Sequence, residues 1–127
     1  MATLLNWHSS NKRLIKGLRA RVKKSETLID GNTRFTTVRL GTKWLDKLNP
    51  GDYVAVSVSN DLDKPNVIGY ALVKSVSKTR LHLMDDNDFK LNIGAKKAFR
   101  VFQDMKSVYG DGKVTIYSIV TVIELES

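Results

Sequence analysis

What most limits the fold of this chain is a series of short apolar segments with β-strand periodicity, each closed by turn-forming residues. Residues 53–59 place Val54, Val56 and Val58 on alternate positions, which makes one face of a strand apolar and the other polar. Just before them, Asn49-Pro50-Gly51-Asp52 puts Pro and Gly at the central positions of a type II turn. Residues 2–7 and 33–40 read as further strands, the second rich in β-branched and aromatic residues and entered from the turn Asp30-Gly31-Asn32. After the polar loop 60–66, residues 67–76 return as a strand and Ser77-Lys78 form a tight link. Residues 79–84 are then the next strand, which carries His82 and ends at Asp85-Asp86-Asn87-Asp88. Residues 113–125, rich in Val, Ile and Thr, supply one bent strand or two at the centre of the sheet.

Two segments replace this rhythm with a helical one. Ser9, Ser10 or Asn11 can cap a short early helix in which Leu14, Ile15, Leu18 and Val22 recur at helical spacing. Later, Ala95, Ala98, Phe99, Phe102, Met105 and Tyr109 form an apolar stripe, with Lys96, Lys97, Arg100, Gln103, Asp104 and Lys106 on the other side and Gly110 at the C-cap position. That stripe is expected to pack into a core. Trp44 to Leu48 adds one helical turn. The sum is an α+β fold, a small β-barrel of about five or six mostly antiparallel strands with an early and a late α-helix.

The chain has 127 residues, 42% of them apolar, which suits one domain spanning 1–127 with a real core. The absence of cysteine excludes a disulfide scaffold, thiolate metal sites and Cys-nucleophile chemistry. With only His8 and His82 besides, no metal and no cofactor is expected. The acidic stretch 85–88 lacks the Gly and terminal Glu of a calcium loop and reads as an exposed turn. The longest apolar runs, such as 119–123, are far below the roughly 20 residues that span a bilayer. The N-terminus has no basic segment ahead of an apolar one, so no signal peptide is read. These features predict a soluble, cytoplasmic protein without a membrane partner.

Charge is distributed unevenly. The net +8 arises entirely in residues 1–44, where Lys12, Arg13, Lys16, Arg19, Arg21, Lys23, Lys24, Arg34, Arg39 and Lys43 face only Glu26 and Asp30. Residues 45–127 are neutral. Such asymmetry is the footprint of a surface that meets a polyanion, with a basic segment at about 9–27 gripping phosphates. An acidic protein partner would suit the same charge. Lys96, Lys97 and Arg100, on the late helix, are expected to be peripheral.

The order of motifs resembles the ASCH domain family. Thr36-Thr37-Val38-Arg39-Leu40-Gly41-Thr42-Lys43-Trp44, followed by Leu48-Asn49-Pro50-Gly51-Asp52, is similar to that family's Thr-x-Arg strand, Gly and Trp, and Gly-Asp turn. The likeness continues through Val67-Ile68-Gly69-Tyr70-Ala71, the acidic segment, Tyr109-Gly110 and a closing Val/Ile strand that ends in Glu, and covers about residues 28–126. It implies a PUA-like barrel and an RNA-related role, so nucleic acid, RNA ahead of DNA, is the expected partner. Some family members are ribonucleases or hydrolases of acylated cytidine.

The family's hydrolases resemble one another in Gly-x-Lys-Thr-x-Thr-x-Arg. Here the matching spacing is Arg34-x-x-Thr37-x-Arg39, with Gly31 one position further away and no corresponding Glu. Arg34 and Thr37 are therefore the weak catalytic candidates, since a guanidinium stays charged and accepts no proton. In a hydrolase, Lys23, Lys24 or Lys43 would have to supply the missing amine. For binding, the planar forks of Arg34 and Arg39 suit phosphate, Thr37 offers a hydroxyl, and Trp44 offers a stacking face or a lid over the core. Arg34 and Arg39, an odd number of positions apart, are expected on opposite faces. A pair between Arg39 and Asp52 is the structural alternative to ligand contact.

Overall fold

The computed structural model describes residues 2–8 and 11–127. In chain order the elements are β1 (Thr3–Trp7), α1 (Lys12–Arg19), β2 (Arg34–Leu40), α2 (Lys43–Lys47), β3 (Tyr53–Val58), β4 (Val67–Arg80), α3 (Ala98–Tyr109) and β5 (Ile119–Glu126). Short 3₁₀ turns occupy Glu26–Leu28, Leu81–Leu83, Asp86–Phe89 and Asp111–Lys113. The five strands form one mixed sheet in the order β1-β3-β4-β5-β2, in which β1 and β3 run parallel and the other neighbours antiparallel. The α+β class is as the sequence predicts.

The expected closed barrel is not formed. β1 and β2 sit at opposite ends of the ladder and share no backbone pairing. The outer edge of β2 is already engaged: Thr36 N–H donates to Leu91 O at 2.9 Å, and Ile93 N–H donates to Thr36 O at 2.9 Å. A covered edge offers no ladder to a further strand. The sheet is nonetheless strongly curled. Five strands laid flat would separate β1 from β2 by about 19 Å, yet Arg39 Nη1 on β2 reaches Asn6 O on β1 at 2.7 Å.

Asn11 is the N-cap of α1, its side chain accepting from the N–H groups of Arg13 and Leu14; the alternatives Ser9 and Ser10 lie outside the described residues. The helix buries Leu18 and half-buries Leu14 and Ile15 against the inner face of the sheet, where Leu5, Trp7, Phe35, Val54, Val56, Val73, Ile123 and Leu125 meet. Chain segment 22–23 then crosses β4 so closely that a Cβ on Gly69 would lie 2.5 Å from Lys23 O.

Three expectations on the strands are corrected. β3 is buried on both faces, because Ser57 and Ala55 are covered as well as the valines, and Ser57 Oγ accepts from Asn66 N–H in the loop folded over it. There is no link at Ser77-Lys78. β4 is one strand, whose Ser77 and Lys78 pair with Val122 and Thr121 of β5, and a bulge between Val73 and Ser75 supplies the bend. Nothing at 77–78 forces a turn once β5 provides a continuous ladder. His82 consequently sits in a 3₁₀ turn, edge-on to Tyr117.

α3 packs a second core through Val101 and Met105 against Leu81, Phe89, Val114 and Val120. It begins at Ala98, later than the apolar spacing suggests, and Phe99 is 69% exposed. The acidic turn decides that start: Asp86 Oδ1 accepts from Ala98 N–H at 2.7 Å and its other oxygen pairs with Lys97 at 3.6 Å. Gly110, at φ +104°, ends the helix as expected. Among the described residues no helix is long and apolar enough to cross a membrane.

Candidate nucleic-acid interface

Strand parity places Phe35, Thr37 and Arg39 on the inner face of β2 and Arg34 on the outer one. Phe35 and Thr37 are buried. Arg39 extends past them toward the opposite edge of the sheet, where its Nε donates to Thr37 Oγ1 at 3.1 Å and its Nη1 to Asn6 O at 2.7 Å. The guanidinium carbon lies 4.5 Å from the Trp7 ring centroid, a cation–π contact. Nη2 has no hydrogen-bond partner and no solvent contact, and the same is true of Asn6 Oδ1.

None of the ion pairs among the described residues involves Arg39. Burial pushes its guanidinium down to about 10, opposed only by the Tyr109 hydroxyl. The group therefore remains cationic at neutral pH, half-buried and without a carboxylate in salt-bridge reach among the described residues. Asp52, the alternative partner, is used instead within its own turn, where it accepts from Asn49 N–H at 2.8 Å.

Arg39 lines a cleft of about 840 Å³ between the two edges of the sheet. Trp7 and Trp44 contribute aromatic surface, Thr37 and Asn6 polar atoms, Lys43 a cation, and the Asn11 end of α1 together with segment 92–95 closes one side. Asp104 on α3 is the single carboxylate among the described lining residues. Trp44 is largely buried, flanked by the ammonium groups of Lys43 and Lys47 at 5.7 and 5.4 Å from its ring. It thus serves both as the lid expected of it and as part of the cleft wall.

The remaining basic residues divide into two sets. Lys12, Arg13, Lys16 and Arg19 on α1, and Lys24 after it, are exposed and join no ion pair among the described residues. Arg21, Lys23 and Arg34 have structural partners. Arg21 Nη1 donates to Gly17 O at 2.7 Å, Lys23 pairs with Asp30 at 3.4 Å, and Arg34 pairs with Glu126 at 3.2 Å and Glu124 at 3.9 Å. Arg34, 59% exposed on the outer face, is not brought together with Thr37. The two catalytic candidates are separated by the sheet itself.

Lys96 has a local backbone partner of its own. It precedes α3, donates to Asn92 O at 2.5 Å, and its ammonium is held below the usual range by burial and by the charge of Arg21. Asn6 and Trp7 are cleft residues that sequence reasoning missed, having read them only as the end of a strand; the sole signal was an amide in an otherwise apolar run.

No protein-family model and no curated protein matches the chain. Among solved structures it is similar to the crystal structure of hypothetical protein PH0355, at 18% identity over 99% of this chain and 98% of that one, with a TM-score of 0.57. The likeness extends over the whole chain and concerns the fold alone.

Proposed function

We propose that this protein is a nucleic-acid-binding module of the ASCH type, with single-stranded RNA as its ligand. The observation that carries the reading is a cleft lined by Trp7, Trp44 and a half-buried Arg39, with the Asn11 end of α1 on its wall and exposed cations along that helix that join no ion pair among the described residues. The cleft has room for one nucleotide unit, pocket volumes for small ligands being about 300–1,000 Å³. Aromatic walls suit an unpaired base, a contact worth roughly 1–3 kcal/mol. The cations outside need only a backbone of phosphates, which clustered charge meets without fixed geometry. RNA is favoured over duplex DNA because a cleft can take an unstacked nucleotide, not a paired one.

Fluorescence anisotropy with a labelled single-stranded RNA, repeated across a salt series, tests the proposal. Binding should weaken linearly in log affinity against log salt, and the triple change Lys12→Glu, Lys16→Glu, Arg19→Glu should remove most of it. Undiminished affinity in that variant would overturn the reading. Capture of an acidic protein that survives nuclease treatment, with no RNA affinity, would replace it with the protein-partner alternative.

A further inference from the structure

The floor of the cleft makes a narrower demand on its occupant than the rest of the interface does. Resting on the RNA-binding reading, we propose that Arg39, with Thr37, is a receptor for a terminal phosphate of a nucleotide, carried either by the end of an RNA strand or by a free mononucleotide.

Three observations combine. Arg39 lines the cleft half-buried and joins no ion pair among the described residues. A cation partly withdrawn from water without an anion is unfavourable on its own account, and fixed acidic side chains are the usual remedy. None of the described acidic side chains pairs with it: the lone carboxylate among the described lining residues, Asp104, belongs to α3, while Arg39 is anchored to β1 and β2. Second, the Thr37 hydroxyl already accepts from Arg39 Nε, so its own hydrogen is free to be donated beside the guanidinium. The site is thus rich in donors, as an oxyanion requires.

Third, Arg39 is held from both edges of the sheet, with Trp7 against its face, so the fork is oriented before any ligand arrives. An internal phosphodiester continues on both sides and meets the exposed cations of α1. A terminal phosphate has one covalent neighbour and can enter a cleft end-on, and it carries more negative charge than a diester.

The test uses the full chain and a labelled RNA decamer with hydroxyl ends, with a 5′-phosphate or with a 3′-phosphate, measured by anisotropy. Uridine, uridine monophosphate and inorganic phosphate are measured alongside by calorimetry. The wild-type protein should bind one phosphorylated decamer at least tenfold tighter than the hydroxyl-ended one, and Arg39→Met should bring that ratio to one. Should Arg39→Met not fold, Arg39→Lys, which keeps the charge and loses the fork, should still reduce the ratio. Tight binding of uridine monophosphate but not uridine, with no preference among decamers, identifies the free mononucleotide as the source. Binding of inorganic phosphate as tight as the monophosphate overturns the nucleotide assignment. Intact RNA binding with no discrimination by phosphate in either series overturns the receptor and leaves the RNA reading standing. Loss of RNA binding while the monophosphate still binds does the reverse, and loss of both overturns both.

Discussion

Arg34 and Arg39 leave β2 on opposite faces, and their partners differ accordingly. Arg34 meets Glu126, a nearly buried carboxylate that also pairs with Lys74 at 3.7 Å, so this charge stitches β2, β4 and β5 together. Glu126→Gln should therefore lower the unfolding free energy by about 1–3 kcal/mol, because charge-assisted contacts are lost and two cations are left facing each other; denaturant unfolding measures it. Arg39 has no such carboxylate. Its substitution by Met removes two hydrogen bonds and a cation–π contact, but it also removes a half-buried charge without an ion pair. The expected change in stability is below about 1.5 kcal/mol, together with at least a tenfold loss of ligand affinity. Denaturant unfolding of Arg39→Met measures the first and anisotropy the second. Thr37 and Arg39 were legible in the sequence, since alternation on one strand gives them a common face. Asn6 and Trp7 were not, because nothing local ties residues at the start of the chain to the edge of a strand far along it.

At the level of elements, α1 is built against its own electrostatics. Lys12 and Arg13 occupy its first turn, with no acidic residue there, where the helix dipole favours anions. Exchanging both for Glu should stabilise the protein by about 0.3–1 kcal/mol each in thermal unfolding while weakening RNA binding. A helix that becomes more stable as it loses its ligand identifies those cations as functional. Gly69 sits in β4 beneath the crossing of segment 22–23, where an added methyl would meet backbone oxygen and Val22. Gly69→Ala should cost about 1–3 kcal/mol, read as a lowered denaturation midpoint. The early helix, the Pro50–Gly51 turn and the end of α3 at Gly110 were readable because caps and turns are local chemistry. The unbroken length of β4 and the start of α3 were not. β5 supports the first across Ser77-Lys78, and Asp86, distant in sequence, caps the second.

Across the whole molecule the sheet stops short of closure, and a side chain completes the circuit between its edges. The cleft is the gap that remains. If the five exposed cations Lys12, Arg13, Lys16, Arg19 and Lys24 each neutralise a phosphate, log affinity for single-stranded RNA should fall with log salt at a slope of about −3.5, at ~0.7 per phosphate. Reversing Lys96, Lys97 or Arg100 should weaken binding much less than reversing the cations of α1. The sequence by itself determined the α+β class, most strands, the two longer helices and the confinement of net charge to the first third, since periodicity, capping and charge counting depend on neighbours in the chain. Only the tertiary structure decided that the barrel stays open, that Arg34 pairs with carboxylates while Arg39 is half-buried without one, and that Asn6 and Trp7 complete the cleft. Those outcomes depend on which strand edges meet and which charges are excluded from water, and both are set by contacts between residues far apart in the chain.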